Sequence, residues 1–288
     1  MIICYLFGGI GNQIFQFLSA LNLSYREKRK LIFDYSLIYG FKNYHKVKIT
    51  DIFDFKKYKN LEIRNNKSQN FFLLKTKIIF FNICRKFNFI KRVINEDNFY
   101  NKLKKNIKYY QFGYFQDLKY IQSSFLNIRN ILVFKKYFYK NKSYKNLSNK
   151  PNSVCLHIRR GDYLSKKSRL KYEILNEKYF QKAISLMRKK LKKPFFFIFS
   201  DDIEYSSSFV KKNFIKDKYQ LINTYSDVND FFLMAQCKNF ILSNSTFSWW
   251  CSYLSSNKNK IIICPKLWFV KDIDNNNNNL ILKSWIKI

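Results

Sequence analysis

The second half of the chain alternates short apolar runs with amphipathic segments, and this alternation restricts the fold more than any other feature. The apolar runs occupy residues 153–158, 195–199, 220–223, 239–242 and 260–264. The first helix between them shows an apolar face at helical spacing: Phe180, Ala183, Ile184, Met187 and Leu191. A helix capped by Asp227 and a helix beginning near Thr246 separate the later runs. Alternating strands and helices predict an α/β fold with a parallel sheet covered on both faces.

The N-terminal residues also predict a strand followed by a helix, as in an α/β fold. An apolar run at residues 2–7 is followed by Gly8-Gly9-Ile10-Gly11, and Ile14, Phe17 and Leu21 then recur at helical spacing. A second apolar strand covers residues 31–34. Residues 44–108 consist of lysine-rich amphipathic pieces that are predicted to be mostly helical.

A polar segment at residues 140–152, with Pro151 near its end, is the best candidate for a linker. The length of 288 residues fits one large domain or two small ones. We therefore expect two domains, residues 1–145 and residues 146–288.

The composition is dominated by lysine and aromatic residues. The chain has 54 Lys and Arg against 19 Asp and Glu, a net charge of +35, but 47% of its residues are hydrophobic. Such a chain has too much apolar surface to stay disordered. Six Gly among 288 residues exclude collagen-like and other turn-dense architectures. Coding sequence rich in A and T accounts for the excess of Lys, Asn, Ile, Phe and Tyr, so the charge is interpreted mainly as compositional background.

The Cys and His residues do not predict a metal site. The six Cys contain no Cys-x-x-Cys pair, and the two His, His45 and His157, are far apart in sequence. The Cys are expected to be buried thiols of a reducing cytosol. Asp272-Ile273-Asp274 resembles a metal-binding Asp-x-Asp motif, but its position beside an asparagine run predicts a solvated loop. With no signal peptide and no long apolar span, a soluble cytoplasmic protein is expected.

Polar motifs follow several of the predicted strands. These motifs are Gly8 to Gln13, His157 to Asp162, Ser200-Asp201-Asp202 and Ser243 to Thr246. Because the carboxyl ends of parallel strands lie on one edge of a sheet, the motifs within each domain are expected to converge on one cleft.

The residue types in these motifs suit a nucleotide diphosphate. The guanidinium groups of Arg159 and Arg160 can bind phosphate oxygens in a bidentate manner. Ser245 and Thr246 lie where a strand gives way to a helix, so their hydroxyls and the free amides of that helix can bind an anion. Taken singly, each motif has another interpretation: a solvated Arg pair, a core histidine at position 157, or a simple helix cap at Ser245.

Considered together, five ordered motifs resemble those of a known family. They are residues 8–16 (GGIGNQIFQ), 113–116 (GYFQ), 157–163 (HIRRGDY), 199–202 (FSDD) and 243–250 (SNSTFSWW). In sequence and order they resemble the bacterial alpha-1,2-fucosyltransferases of glycosyltransferase family 11, and residues 265–269 with Trp285 resemble that family's ending. Cys251, where such proteins usually carry Gly, and the weakly patterned residues 44–108 depart from the family pattern.

The resemblance implies a GT-B fold, in which two Rossmann-like domains with parallel sheets face a central cleft. Residues 1–145 would bind the acceptor and residues 146–288 would bind GDP-fucose. It further implies transfer of L-fucose to the 2-hydroxyl of a galactoside, with inversion and without a metal, in surface glycan or O-antigen synthesis. GDP-fucose is then the donor substrate, and no cofactor is expected.

The resemblance also implies roles for individual residues. Arg159 would bind the β-phosphate and stabilise the departing GDP, and Asn12 would assist near the same phosphate. The donor-binding residues would be His157, Arg160, Asp162, Asp201, Asp202, Asn244, Ser245, Thr246 and Phe247. The acceptor side of the cleft would include Gly9, Gly11, Gln13, Tyr114 and Gln116.

Three alternatives remain open from the sequence. The same fold could use another GDP-sugar or form another linkage. A basic nucleic-acid-binding module would explain the charge, but the lysines are spread along the chain without one basic motif, so no nucleic-acid partner is expected. A basic surface also suggests peripheral contact with an anionic membrane at the inner membrane face.

Overall fold

The computed structural model describes residues 1–40, 47–56, 61–65, 70–87, 90–123, 126–140, 142–214, 218–270 and 278–288, apart from the side chains of Lys167 and Asn278. The chain divides into two compact units, residues 1–133 and residues 134–288.

Unit 1 is built on a five-stranded parallel sheet. Its strands are β1 (Ile2–Tyr5), β2 (Leu31–Asp34), β3 (Glu62–Arg64), β4 (Val93–Ile94) and β5 (Tyr109–Gln111), in the order β3-β2-β1-β5-β4. Its helices are α1 (Ile10–Glu27), α2 (Ile49–Ile52), α3 (Phe71–Phe87), α4 (Leu118–Ile121) and α5 (Ile128–Ile131), with a 3-10 helix at Ser36–Gly40. The central strand β1 pairs Ile2 with Leu31 of β2 on one side and with Tyr109 of β5 on the other.

Unit 2 contains a six-stranded parallel sheet in the order β11-β10-β9-β6-β7-β8. The strands are β6 (Ser153–Ile158), β7 (Phe195–Ser200), β8 (Lys218–Ile222), β9 (Asn239–Ile241), β10 (Ile262–Cys264) and β11 (Ile286–Lys287). The helices are α6 (Lys142–Ser148), α7 (Lys166–Arg169), α8 (Glu177–Lys190), α9 (Ile203–Asn213), α10 (Asp227–Gln236) and α11 (Thr246–Leu254). Short 3-10 helices lie at Lys136–Lys140, Asp162–Leu164 and Asn278–Leu280.

Most of the strands predicted for unit 2 are found within one or two residues of their expected bounds. The predicted linker at residues 140–152 is wrong, because it contains α6. Leu147 of α6 is buried, and Tyr144 packs on the ring of Phe232 from α10, with 5.4 Å between the ring centroids. The preceding 3-10 helix also belongs to unit 2, since Phe138 stacks on Phe232 at 4.9 Å. The boundary between the units therefore lies at 133/134, earlier than the expected 145/146.

Two local expectations also need correction. The cap of α10 is Ser226, whose side chain accepts a hydrogen bond from the backbone N–H of Asn229; Asp227 is the first residue of the helix. The segment predicted to be mostly helical contains α2 and α3 but also β3 and β4, which extend the sheet on both edges.

The six cysteines are all free and buried, as the sequence predicted. Burial raises the pKa of the Cys4, Cys155 and Cys251 thiols well above its usual value. None of the helices within the described ranges is long and apolar enough to cross a membrane.

Candidate functional site

The polar motifs of unit 2 meet at the carboxyl edge of its sheet. Strand β6 lies between β7 and β9, so the residues that follow these three strands are neighbours. The backbone N–H of Arg159 donates to the hydroxyl of Ser243 at 3.1 Å, and this hydroxyl donates to the carbonyl of His157 at 2.6 Å. The Ser243 side chain thus links the ends of β6 and β9 directly below the arginine pair.

The guanidinium of Arg159 is held by two carboxylates. Nη1 lies 3.0 Å from Oδ2 of Asp201, and Nη2 lies 2.8 Å from Oδ1 of Asp162. The group also lies over the ring of Tyr163, 5.6 Å from its centroid. Burial lowers the pKa of Arg159, but the Asp201 and Asp162 carboxylates outweigh this effect and the net shift is upward. Arg159 therefore carries a fixed positive charge in a fixed orientation.

Arg160 is also bound to the protein. Its backbone N–H donates to Oδ1 of Asp201 at 2.8 Å, and its Nε lies 3.2 Å from Oδ2 of Asp202. Its guanidinium lies 3.9 Å from the ring centroid of Tyr205, a close cation–π contact. Asp202 caps α9 by accepting from the N–H of Tyr205. The interpretation of Arg159 and Arg160 as a solvated surface pair is therefore wrong.

Gly161 leaves the space that Asp201 occupies. A Cβ atom at position 161 would lie 2.5 Å from Oδ2 and 3.0 Å from Cγ of Asp201, closer than ordinary packing allows. The absence of a side chain lets the Asp201 carboxylate reach Arg159 and the Arg160 amide at the same time. The glycine is required here for close approach.

His157, at the end of β6, is buried and neutral. Burial and, to a smaller extent, the positive charge of Arg159 lower its pKa to about 3, against the opposing effect of the Asp201 carboxylate. Its ring stacks on Phe247 with 6.0 Å between centroids. His157 Nδ1 has no hydrogen-bond partner among the described residues. A buried nitrogen without a hydrogen-bond partner is unusual in a folded protein.

The motif after β9 shapes the start of α11. Ser245 is the N-cap of α11, and its side chain accepts from the N–H of Phe247. Thr246 is the first residue of the helix. The Asn244 amide instead points into the protein, donating to the carbonyls of Glu173 and Trp268. Ser245 is therefore a helix cap, and anion binding at this position stays a prediction.

In unit 1, the glycine-rich turn connects β1 to α1. Gly8 has a φ of +76°, a conformation that favours glycine, and Gly9 precedes the helix. Gly11 lies in its first turn and is buried. Gln13 is fully buried: its amide donates to the carbonyls of Gly8 and Val47 and accepts from the N–H of Ile49. In this structure Gln13 fixes the turn.

The second motif of unit 1 folds around Glu96. One carboxylate oxygen of Glu96 accepts from the N–H groups of Tyr114 and Phe115, at 2.7 and 3.1 Å. Arg85 of α3 binds the same carboxylate through two nitrogens, at 3.0 and 3.1 Å. A Cβ at Gly113 would lie 2.6 Å from Glu96 Oε2, so the glycine again makes room for a carboxylate.

The two motifs of unit 1 are brought together, because β1 and β5 are adjacent strands. The Gln116 amide donates to Oδ1 of Asn12 at 2.7 Å. The ring of Tyr114 packs against Phe7, with 5.3 Å between centroids. Asn12, Tyr114 and Gln116 therefore line one edge of the unit 1 sheet.

Sequence reasoning missed Glu96, Arg85 and Tyr205, and it gave no role to Tyr163, the last residue of the motif at 157–163. The scarcity of acidic residues, 19 in the whole chain, is a signal that would have found Glu96. Within the described ranges, no group of three or more His, Cys, Asp or Glu residues could hold a metal ion. His45 and Asp272-Ile273-Asp274 lie outside the described residues.

Comparisons with known proteins cover the whole chain. Residues 1–288 match the family model described as Glycosyl transferase family 11. The O-antigen biosynthesis glycosyltransferase WbnK of Escherichia coli is 30% identical over 98% of both proteins. An alpha-1,2-colitosyltransferase of Escherichia coli is 27% identical over 100% of this chain and 99% of its own length.

Solved structures share the fold at much lower identity. The fucosyltransferase NodZ from Bradyrhizobium superposes with a TM-score of 0.55 and 12% identity, over 88% of this chain and 92% of that one. NodZ has been co-crystallised with GDP. The predicted α/β fold of GT-B type, with two parallel sheets, is confirmed.

Proposed function

The chain belongs to glycosyl transferase family 11, and from this premise we propose that it transfers L-fucose from GDP-fucose to the 2-hydroxyl of a galactoside acceptor. The acceptor belongs to a surface glycan or O-antigen in this proposal. The name of WbnK and the binding of GDP by NodZ support it.

The observation that carries the proposal is the fixed guanidinium of Arg159 at the carboxyl edge of the unit 2 sheet. Two carboxylates orient it, and the positively polarised start of α11 follows the neighbouring strand β9. Fixed donors stabilise negative charge without reorganising when that charge develops. A departing diphosphate is a group that develops such charge.

In the proposed reaction, the acceptor hydroxyl attacks the anomeric carbon while the bond from this carbon to the β-phosphate oxygen breaks. The electron pair of that bond leaves with GDP, and Arg159 stabilises the resulting charge. Attack from the face opposite GDP inverts the anomeric carbon. Asp162, Asp201 and Asp202 each bind an arginine. We therefore assign none of them as the base. Because the departing phosphate lies on the opposite face of the sugar, the acceptor's proton is proposed to pass to solvent water.

Unit 2 is proposed to bind the donor. His157 Nδ1, which lacks a partner, and the Phe247 ring that stacks on His157 support recognition of the guanine. Asp201 is proposed to act mainly by orienting Arg159, because both of its oxygens already bind the arginine pair. Arg160, Ser245 and Thr246 complete the proposed donor site, and Asn244 is proposed to support it by anchoring the turn before α11.

Unit 1 is proposed to bind the acceptor. Gly9, Gly11, Gln13, Tyr114 and Gln116 shape the edge of its sheet, and the described contact between Asn12 and Gln116 supports a shared role for these two amides. Asn12 is proposed to assist at the β-phosphate. No metal takes part in the proposed reaction.

The test is transfer from GDP-fucose by three variants. Arg159→Ala is expected to lower kcat by about 10²- to 10³-fold, the usual effect of removing one transition-state donor. Arg159→Lys should also be slow, because the ammonium group of lysine cannot make the bidentate hydrogen bonds of a guanidinium. Arg188→Ala is the matched control, because Arg188 donates to the carbonyl of Asn213 on the surface of unit 2. Near-normal turnover by Arg159→Ala would refute the assignment.

A second candidate is a colitosyl donor, which the name of the Escherichia coli colitosyltransferase favours. Colitose is fucose without its 3-hydroxyl, so the two donors share the GDP that the arginine site would bind. A panel of GDP-fucose, GDP-colitose, GDP-mannose and UDP-sugars, assayed for donor hydrolysis and for binding by calorimetry, distinguishes them. A preference for UDP-sugars would refute both candidates.

A further inference from the structure

Helix α3 of unit 1 is apolar on two opposite faces. Its inner face consists of Leu74, Ile78, Phe81 and Cys84, which are all buried and pack against β1 and β2 side chains such as Ile3 and Ile32. This buried face packs the helix against the sheet. A surface helix of this kind normally carries polar residues on its outer face.

The outer face of α3 is instead a stripe of exposed apolar side chains. Phe72, Ile79, Ile83 and Phe87 recur at helical spacing with Phe80 beside them, and Phe72 and Phe87 are 73% and 62% exposed. Phe71 and Leu73, on either side of Phe72 in the first turn of α3, are also exposed. Among the described residues, seven of the ten exposed Phe, Ile and Leu side chains belong to α3. Such concentration on one element indicates a binding surface.

The borders of the stripe are basic. Lys75 and Lys86 are exposed on one side of it and Lys77 is half-buried on the other. The sequence of α3 contains no Asp or Glu. Arg85 points inward to Glu96, so it holds the helix to unit 1.

We propose that α3 lies flat on an anionic lipid bilayer, with the apolar stripe at the boundary between headgroups and acyl chains. An apolar face bordered by lysines is the pattern of interfacial helices, and anionic headgroups complement the lysines. A second copy of this chain is a poorer occupant, because it carries the same net charge of +35. The proposal concerns a helix of unit 1, whereas the arginine site belongs to unit 2, and it does not rest on the proposed function.

The first experiment is flotation of the full chain with vesicles. Binding is expected with about three parts phosphatidylcholine to one part phosphatidylglycerol, and much less with phosphatidylcholine alone. The variant Phe72→Ser/Ile79→Ser/Ile83→Ser should bind at least about tenfold less tightly. Its matched control is Leu170→Ser/Tyr225→Ser, which removes exposed apolar side chains of unit 2. All five positions are exposed, and circular dichroism with thermal unfolding verifies that both variants fold.

A second set of variants tests the charge and the location. Lys75→Glu/Lys86→Glu should weaken binding to anionic vesicles by about tenfold, whereas Lys189→Glu/Lys190→Glu on α8 should not. The four native Trp residues are buried. A Phe80→Trp reporter should therefore give a blue shift with anionic vesicles that a Leu170→Trp reporter does not.

Three results would overturn the proposal. One is vesicle binding that the stripe variant leaves unchanged. Another is equal binding to anionic and zwitterionic vesicles. The third is a wild-type dimer, seen by light scattering, that the stripe variant converts to a monomer while neither protein binds vesicles. Loss of sugar transfer by Arg159→Ala has no bearing on these outcomes, so the two proposals fail separately.

Discussion

Gly161 and Asp201 are predicted to be energetically coupled. In Gly161→Ala the new Cβ would lie 2.5 Å from Oδ2 of Asp201, about 1 Å inside normal contact. Either the carboxylate or the loop must move. If the carboxylate moves, its contacts of 3.0 Å with Arg159 and 2.8 Å with the Arg160 N–H lengthen beyond hydrogen-bond range.

The magnitude follows from these two contacts. A hydrogen bond to a charged group contributes about 1.5–3 kcal/mol. Arg159 keeps its second partner, Asp162, at 2.8 Å. We therefore expect Gly161→Ala to lower the free energy of unfolding by about 2–4 kcal/mol. This is less than the complete loss of two such hydrogen bonds would cost at the upper limit of that range. Asp201→Ala removes the same contacts and should have a similar effect.

The assay is a double-mutant cycle measured by urea unfolding. In the Asp201→Ala background the methyl group of Gly161→Ala no longer meets a carboxylate, so it should cost less than about 1 kcal/mol. The coupling free energy should then be about 2–3 kcal/mol. Calorimetric titration measures the affinity for GDP, which depends on the orientation of Arg159 in the proposed site. This affinity should fall in both single variants.

Additive effects would refute this reasoning. If Gly161→Ala lowers stability equally with and without the Asp201 carboxylate, the cost comes from the loop backbone at position 161. Asp201→Asn is the control for charge, because it keeps an oxygen that can accept from the Arg160 N–H.

Three further outcomes are expected. Glu96→Gln should lower the free energy of unfolding by about 1.5–3 kcal/mol, measured by urea unfolding, because the carboxylate binds Arg85 and two loop amides. The pKa of His157 is lowered to about 3 in the folded protein, so below about pH 6.5 only the unfolded chain takes up a proton at this residue. The free energy of unfolding should therefore fall with decreasing pH, by up to about 1.4 kcal/mol per pH unit. His157→Gln should remove this part of the pH dependence. Burial raises the pKa of Asp230 to about 6, so the ionised carboxylate destabilises the folded protein above that pH. Asp230→Asn should therefore raise the free energy of unfolding by at most about 3 kcal/mol at pH 8 and by little at pH 4. Thermal unfolding at both pH values measures this difference.

Strong periodicity made much of unit 2 predictable. Strand β6 and the start of α11 lie at the predicted residues, because six consecutive buried positions and a Ser cap leave few alternatives. The strands β4 and β11 have two residues each, too few to show any period, and their place is set by neighbouring strands. Helix α6 was missed because a single buried residue, Leu147, anchors it in a polar sequence.

The candidate site was predictable as a set of motifs but not as a set of contacts. Parallel strands bring Arg159 and Asp201 to one edge whatever their partners are, so their proximity followed from topology. Asp201 can bind both arginines because of the space beside Gly161, and the sequence alone does not show this space. Glu96 belongs to no motif of the sequence, because its partners come from α3 and from the turn after β5, distant in the chain.

Because all six thiols are buried, the rate at which they are chemically modified reports how often each unit opens. Cys4 and Cys84 lie in unit 1, and the other four cysteines lie in unit 2. An alkylating reagent can modify these thiols only when the surrounding unit opens. Mass spectrometry of a labelling time course would then resolve additions of two and of four groups. The rate of each addition would report the stability of its own unit, and the ratio of the two rates would compare them, without any substitution.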